Sequence, residues 1–265
     1  MHPADITVLV LTYNEEANIG RTLAALAWAQ SIVIVDSGSS DDTRRIATRV
    51  PTVRWCERPF DSHAAQWNYG LSLVTTEWTL ALDADYVCPD TLADELRTLS
   101  DAIDGYEAGF TYVVAGRPLT RSLYPPHVVL FRTRLCHFVQ DGHTQRLSCR
   151  STRLGRLRCR IAHDDRKPRS RWLESQRRYA VLEAERILAA RRQGLGWRDW
   201  LRQGLVLTPV ATFVYCLIVR RLIFDGWRGL AYTLERTCAE VLLALALVDR
   251  RLASPERPAD PAARV

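Results

Sequence analysis

Three apolar runs in the first third of the chain each stop abruptly at polar residues. Residues 6–12 (ITVLVLT), 31–35 (SIVIV) and 78–82 (WTLAL) carry almost no polar interruptions, and the last runs into Asp83. Short unbroken apolar runs of this kind predict strands buried on both faces, as in a parallel sheet. Between them the period changes to helical. Ile19, Leu23, Leu26 and Ala27 recur on one face after the first run, a glycine-containing turn opens a helix ending near Arg49 after the second, and a further helix is expected over 62–74. Residues 53–56 add a short strand. Strand and helix in alternation predict an α/β fold, a Rossmann-like, mostly parallel sheet flanked by helices.

Beyond Asp85 the rhythm breaks. A helix is expected over 89–99 and strands over 110–114 and 128–132, separated by a loop holding Pro118, Pro125 and Pro126. From Gly155, Arg156, Arg158 and Arg160 alternate with Leu157, Cys159 and Ile161, a strand with one buried face. A long amphipathic helix is expected over 170–192. Residues 204–219 carry no charge and are flanked by Arg202, Arg220 and Arg221. That stretch falls short of the roughly 20 apolar residues of a membrane span and contains Pro209. With Trp197, Trp200, Trp227 and Tyr232 nearby, it reads either as an interfacial, membrane-associated helical extension or as a helical subdomain packed on the core. The division expected is 1–168 as the main domain, with a nucleotide half about 1–100 and an acceptor half about 101–168, then a helical C-terminal extension over 169–252 and a disordered tail over 253–265.

At 265 residues and 47% apolar content, the chain can bury a large core. The net charge of +6 conceals an asymmetry: acids outnumber bases over 1–130, and arginines strongly outnumber acids over 131–200. An acidic first half suits a metal-dependent site and a basic second part suits an anionic partner. Lysine occurs once, as Lys167. Seven cysteines without a C-x-x-C pair predict reduced thiols in a cytoplasmic protein, and the N-terminus shows no export signal.

The polar stops carry the candidate chemistry. Thr12-Tyr13-Asn14-Glu15, Asp36-Ser37-Gly38-Ser39 and Asp83-Ala84-Asp85 fall at the carboxyl ends of successive strands, where open α/β sheets bind ligands. On an extended backbone Asp83 and Asp85 project to one side and share a divalent cation. Asn14 and Asp41 also read as helix caps, and Asp36 as a turn residue.

Taken together, VLTYNEEANI, IVIVDSGSSDDT, AAQWNYGLSLVTTEW, LALDAD and, more loosely, DGWRGLAY resemble the inverting family-2 glycosyltransferases of GT-A fold, in the bacterial branch that acts on lipopolysaccharide core and related cell-surface glycans. The resemblance implies a hexosyltransferase-type enzyme moving one sugar from a nucleoside diphosphate sugar such as a UDP-sugar. The acceptor it implies is lipid-linked or of lipopolysaccharide type, at the inner face of a membrane with peripheral contact. Thr12, Tyr13 and Glu15 would line the nucleotide pocket and Asp36 would contact base or ribose. Asp83 and Asp85 would form the metal motif for Mn²⁺ or Mg²⁺, with Asp85 the direct ligand. Tyr86 stands where many relatives have a third acid. Asp141 is the expected catalytic base, with His143 orienting or binding beside it. His163 is either a hydrogen-bonded strand-end residue or a further metal ligand. Arg177 and Arg178 either face solvent or neutralise phosphates, and Gln66 and Asn68 either bind or pack. Two alternatives are a sugar nucleotidyltransferase, which would want a glycine-rich loop where this chain has Tyr13 to Glu16, and a non-catalytic polyanion-binding protein. Nucleic acid is not the expected partner.

Overall fold

The computed structural model describes residues 1–141, 144–150, 153–190 and 207–253. Strands β1 (Ile6–Thr12), β2 (Ile32–Asp36), β3 (Val53–Glu57) and β4 (Trp78–Asp83) lie parallel in the order β3-β2-β1-β4. The register sets Thr12 beside Asp36 and Leu11 beside Asp83, so all three polar stops reach one edge. Helices α1 (Ile19–Ala24), α2 (Thr43–Ala47) and α3 (His63–Ser72) make the crossovers. Both faces of this half are covered. Val8, Val10, Ile34 and Leu80 pack with Ile19 and Leu23 of α1, while Leu9, Val33 and Ala81 pack with Trp67 and Leu71 of α3. This two-sided burial is why the runs read as unbroken apolar segments.

The second half turns the sheet mixed. It contains β5 (Tyr86–Val87), β6 (Gly105–Val114), β7 (Arg117–Pro118), β8 (His127–Arg132) and β11 (Leu154–His163), with α4 (Leu92–Thr98) between β5 and β6. β8 pairs antiparallel with both β4 and β6, β11 runs parallel to β6, and β5 pairs antiparallel with the end of β11. That last pairing sets His163 opposite Tyr86. β5 was not expected from sequence, and β6 begins earlier than the expected 110–114.

A separate hairpin, β9 (Cys136–Asp141) and β10 (Thr144–Cys149), lies on α3. Phe138 stacks on Trp67 at 5.1 Å, and the Asn68 amide pairs with the Phe138 backbone, donating to its carbonyl and accepting from its N–H, both at 2.8 Å. Gln66 donates to Ser37 Oγ and to the Arg58 carbonyl, each at 2.9 Å. Both α3 amides are thus structural. The hairpin also corrects the expectation of reduced cysteines: Cys136 and Cys149 are directly opposed and joined in a disulfide, while the other five cysteines are free. The pairing follows from strand register, to which no cysteine motif corresponds.

At the C-terminal end, α5 (Arg169–Ala190) packs against α7 (Gly226–Ala253) through Ala180, Ala184, Ile187, Leu243 and Leu247. Helix α6 (Leu207–Val214) runs into a π turn over Tyr215–Val219 and then a 74° bend before α7. Among the described residues no single helix is long and apolar enough to cross a membrane. Trp197, Trp200, part of 204–219 and the tail beyond Ala253 lie outside the described residues.

Candidate active site

The first two strand ends are bound to each other. Thr12 Oγ1 donates to Asp36 Oδ1 at 2.7 Å, and Asp36 Oδ2 accepts the backbone N–H groups of Gly38 and Ser39 at 2.9 and 2.7 Å. Gly38 has φ +88°, a left-handed turn that suits a residue without Cβ and aims these N–H groups back at the acid. Asp36 is 1% exposed and both its oxygens are engaged, so its carboxylate shapes the loop. Asn14 departs from the helix-cap reading. It sits at φ 55°, and its side-chain oxygen accepts from Ser40 N at 2.8 Å, stitching the two loops together. Tyr13 projects its ring outward at the edge.

The third strand end corrects another expectation. β4 stops at Asp83 and Ala84-Asp85 form a turn, so strand alternation is not what brings the two acids together. The turn is held by Thr22 Oγ1 donating to the Ala84 carbonyl at 2.6 Å and by Asp164 N donating to the Asp85 carbonyl at 3.0 Å. His163 Nε2 lies 3.1 Å from Asp85 Oδ2, inside a ring of Tyr86, Tyr112 and Tyr124, and its buried Nδ1 has no hydrogen-bond partner.

Burial pushes the Asp83 carboxyl up, reinforced by the neighbouring Asp85 charge. Burial also opposes the Asp85 charge, but His163 and Lys167 outweigh it and hold that carboxyl below its ordinary value. His163 is raised in turn: burial disfavours its cation and the Asp85 charge more than compensates. Asp85 and His163 thus favour each other's charged forms, while the neighbouring Asp83 is pushed up to about 6.

Sequence reasoning missed a whole second layer, the segment that follows His163. Lys167 Nζ meets Glu15 Oε1 at 2.6 Å, with Asp165 at 4.0 Å. Asn18 Nδ2 bridges Glu15 and Asp165 at 2.9 and 2.8 Å, and Arg21 meets Asp164 at 2.5 Å. Burial drives the Glu15 carboxyl up to about 7 even against the attraction of Lys167. The only signal in the sequence was that Lys167 is the sole lysine. Of the expected residues on α5, Arg177 and Arg178 are exposed, whereas Tyr179 between them and the core has Asp83 and Glu15 in its electrostatic surroundings. The Asp141 side chain and His143 lie outside the described residues.

Two carboxylates and an imidazole are suitable donors for Mn²⁺ or Mg²⁺. Among the described residues no three acidic, histidine or cysteine side chains are already gathered at coordinating distance. The half-buried Asp83, Asp85 and His163, with the His163 Nδ1 left without a partner, have the chemistry to accept a divalent cation.

Residues 7–145, just over half of the chain, match the model of the family described as Glycosyl transferase family 2. Among relatives, the lipopolysaccharide core biosynthesis glycosyltransferase LpsC of Rhizobium meliloti is 31% identical over 120 residues, which is 43% of this chain and 42% of that protein. An uncharacterized glycosyltransferase of Rickettsia typhi is 29% identical over 93 residues, 35% of this chain and 32% of that protein. The chain thus spans less than half the length of these relatives. Among solved structures, S. aureus TarS superposes with a TM-score of 0.51 at 16% identity, covering 94% of this chain and 55% of that one, a likeness of fold.

Proposed function

Because the chain belongs to glycosyl transferase family 2, we propose that it moves a single sugar from a nucleoside diphosphate sugar to a hydroxyl of a lipid-linked or lipopolysaccharide-type acceptor, with inversion. The observation that carries this reading is the convergence of Thr12, Asp36, Asp83 and Asp85 on one sheet edge with His163 against Asp85. The partial match to LpsC supports the acceptor class. The family match takes in all three strand-end motifs and favours transfer over nucleotidyl chemistry or passive polyanion binding.

Asp85, with Asp83 and His163 beside it, would hold a divalent cation, and such a cation would supply positive charge for the departing diphosphate. The chain's own residues do the rest. The Thr12–Asp36 clasp fixes the loops that frame the donor, and Tyr13 offers a ring at the pocket mouth for a base. Asp141 takes the proton of the acceptor hydroxyl as that oxygen forms its bond to the anomeric carbon on the face opposite the leaving group. The bond from that carbon to the diphosphate oxygen breaks, and the nucleoside diphosphate leaves with the electron pair. Contact with the inner face of a membrane brings the acceptor within reach.

Calorimetric titration with UDP, GDP, dTDP and CMP, each with and without Mn²⁺, tests this. One nucleotide should bind in a metal-dependent way, and Asp85→Ala should abolish that dependence. Binding unchanged by both metal and Asp85→Ala, or no binding of any nucleotide, overturns it.

A further inference from the structure

The bend between α6 and α7 is fastened from inside and apolar outside. Arg221 and Gly226 bound it, both left-handed at φ 56° and 58°. Thr120 donates to Asp225 Oδ2 through its N–H and its hydroxyl, at 3.1 and 2.9 Å, the Arg220 guanidinium donates to the Ser122 carbonyl, and Leu222 is fully buried. Gly229 lets the backbones touch, since a Cβ there would stand 1.9 Å from the Leu222 carbonyl oxygen. On the outer side Ile223, Phe224 and Trp227 are 60%, 81% and 84% exposed. A bend tied down this firmly does not leave two large rings in water through slackness; its anchoring holds them there. The apolar face continues along α7 through Leu234, Val241 and Leu245, at helical spacing.

Beside the bend lies a cavity of about 350 Å³ between β6, β11 and the loop that holds Thr120 and Ser122. Arg121, Arg156, Arg160 and Arg220 line it, and none forms an ion pair among the described residues. Arg121 and Arg156 have no hydrogen-bond partner there, the Arg220 Nε is buried without one, and Arg160 reaches only Thr111 Oγ1 and a backbone carbonyl. Glu107 stands opposite Arg156 in register and makes no ion pair with it. Four guanidinium groups line this cavity and no carboxylate does; Asp225 sits at its rim with its carboxylate taken up by the Thr120 N–H and hydroxyl. Tyr112 and Tyr124, which flank His163, form part of the cavity wall, while Thr12, Asp36, Asp83 and Asp85 do not.

We propose that this cavity binds the phosphate of an anionic phospholipid headgroup while Phe224 and Trp227 enter the acyl boundary, the two features forming one membrane-docking surface. Charge complementarity selects that occupant: cations without counter-charges sit directly beside exposed apolar rings, the arrangement of an interfacial anchor on an anionic bilayer. The inference deepens the proposed peripheral contact and rests on it.

Flotation of the full chain with phosphatidylcholine vesicles, with and without phosphatidylglycerol, tests it. The chain should float with phosphatidylglycerol vesicles and hardly at all with phosphatidylcholine alone. Arg121→Gln/Arg156→Gln should weaken the partition about thirtyfold, at about a factor of five per arginine. Phe224→Ser/Trp227→Ser should lose flotation, while nucleotide binding, measured in the same samples, stays as in the unmodified chain. Absence of flotation, flotation indifferent to phosphatidylglycerol, or an arginine variant that floats normally overturns the proposal. So does self-association of the unmodified chain that Phe224→Ser/Trp227→Ser abolishes without any vesicle binding. Loss of nucleotide binding with flotation intact would instead count against the donor reading.

Discussion

Replacing Lys167 with Met removes the single ammonium facing Glu15 and should make stability more sensitive to pH. At about 4 Å and an effective dielectric near 20, the attraction is about 4 kcal/mol. The two side chains are 24% and 12% exposed, and solvent screening reduces that to about 2 kcal/mol. Glu15 titrates at about 7 in the folded chain against 4.5 ordinarily. An acid whose folded value is raised stabilises the fold at low pH, and that contribution is lost as pH rises through the folded value. In the unmodified chain stability therefore falls between about pH 4.5 and 7 and levels off above, as far as Glu15 is concerned. Without Lys167 the folded value moves up by roughly one to one and a half pH units, and the decline continues past 7 at about 1.4 kcal/mol per unit. Lys167 itself is raised above 10.5 and titrates outside this window. Urea unfolding of both proteins in chelator, followed by tryptophan fluorescence at about pH 6 and about pH 8.5, should show the deficit of Lys167→Met growing by about 1.5–2 kcal/mol with pH. Asp83 also feels the Lys167 charge and shifts in the same direction when it is removed, so the same pair is compared in a Glu15→Gln background, where the growth of the deficit with pH should largely vanish. A deficit constant over this range, or larger at the acid end, refutes the pairing as the control on Glu15.

Two further outcomes follow from packing and covalent structure. Gly229→Ala drives a methyl into the Leu222 carbonyl oxygen, which sits on backbone and cannot swing away; a loss of about 3 kcal/mol and new proteolytic cleavage near the bend are expected, and an unchanged melting temperature would contradict the close approach. Cys136→Ser opens a link between residues 13 apart, removing about 3 kcal/mol of stability under oxidising conditions and nothing in reductant; equal stability of both proteins without reductant, or seven titratable thiols in the unreduced denatured chain, would show the bridge absent.

The parallel half of the sheet was legible because β1, β2 and β4 are buried on both faces, so that burial alone writes an unbroken apolar run. The acids at their ends followed from the same runs. Other features left no such trace. β5 has two residues, too few for any period, and β9 with β10 carries its order in cross-strand pairing, here sealed by Cys136 and Cys149. Asp83 and Asp85 were associated through strand alternation, whereas a turn after β4 sets them side by side and the end of β11 brings His163 to Asp85. Asn14 was read through local sequence as a helix cap, when its partner Ser40 lies on the neighbouring strand's loop. Lys167 was invisible as a site residue because no short-range pattern joins it to Glu15.

That last contact has a temporal side. Glu15 and Lys167 are 152 residues apart, and Asn18 and Asp165 147. During synthesis at roughly 5–20 residues per second, about 8–30 s separate the appearance of the acid from that of its cation. For that interval the emerging half carries a cluster of acids with no clamp, and the loop-closing contacts that complete the edge form only once β11 has been added to the far side of the sheet. A product that ends before residue 163 has the three motif-bearing strands but lacks both Lys167, the cation against Glu15, and His163, the imidazole against Asp85, so assembly of the sheet's last long strand acts as the checkpoint between a folded scaffold and a competent one.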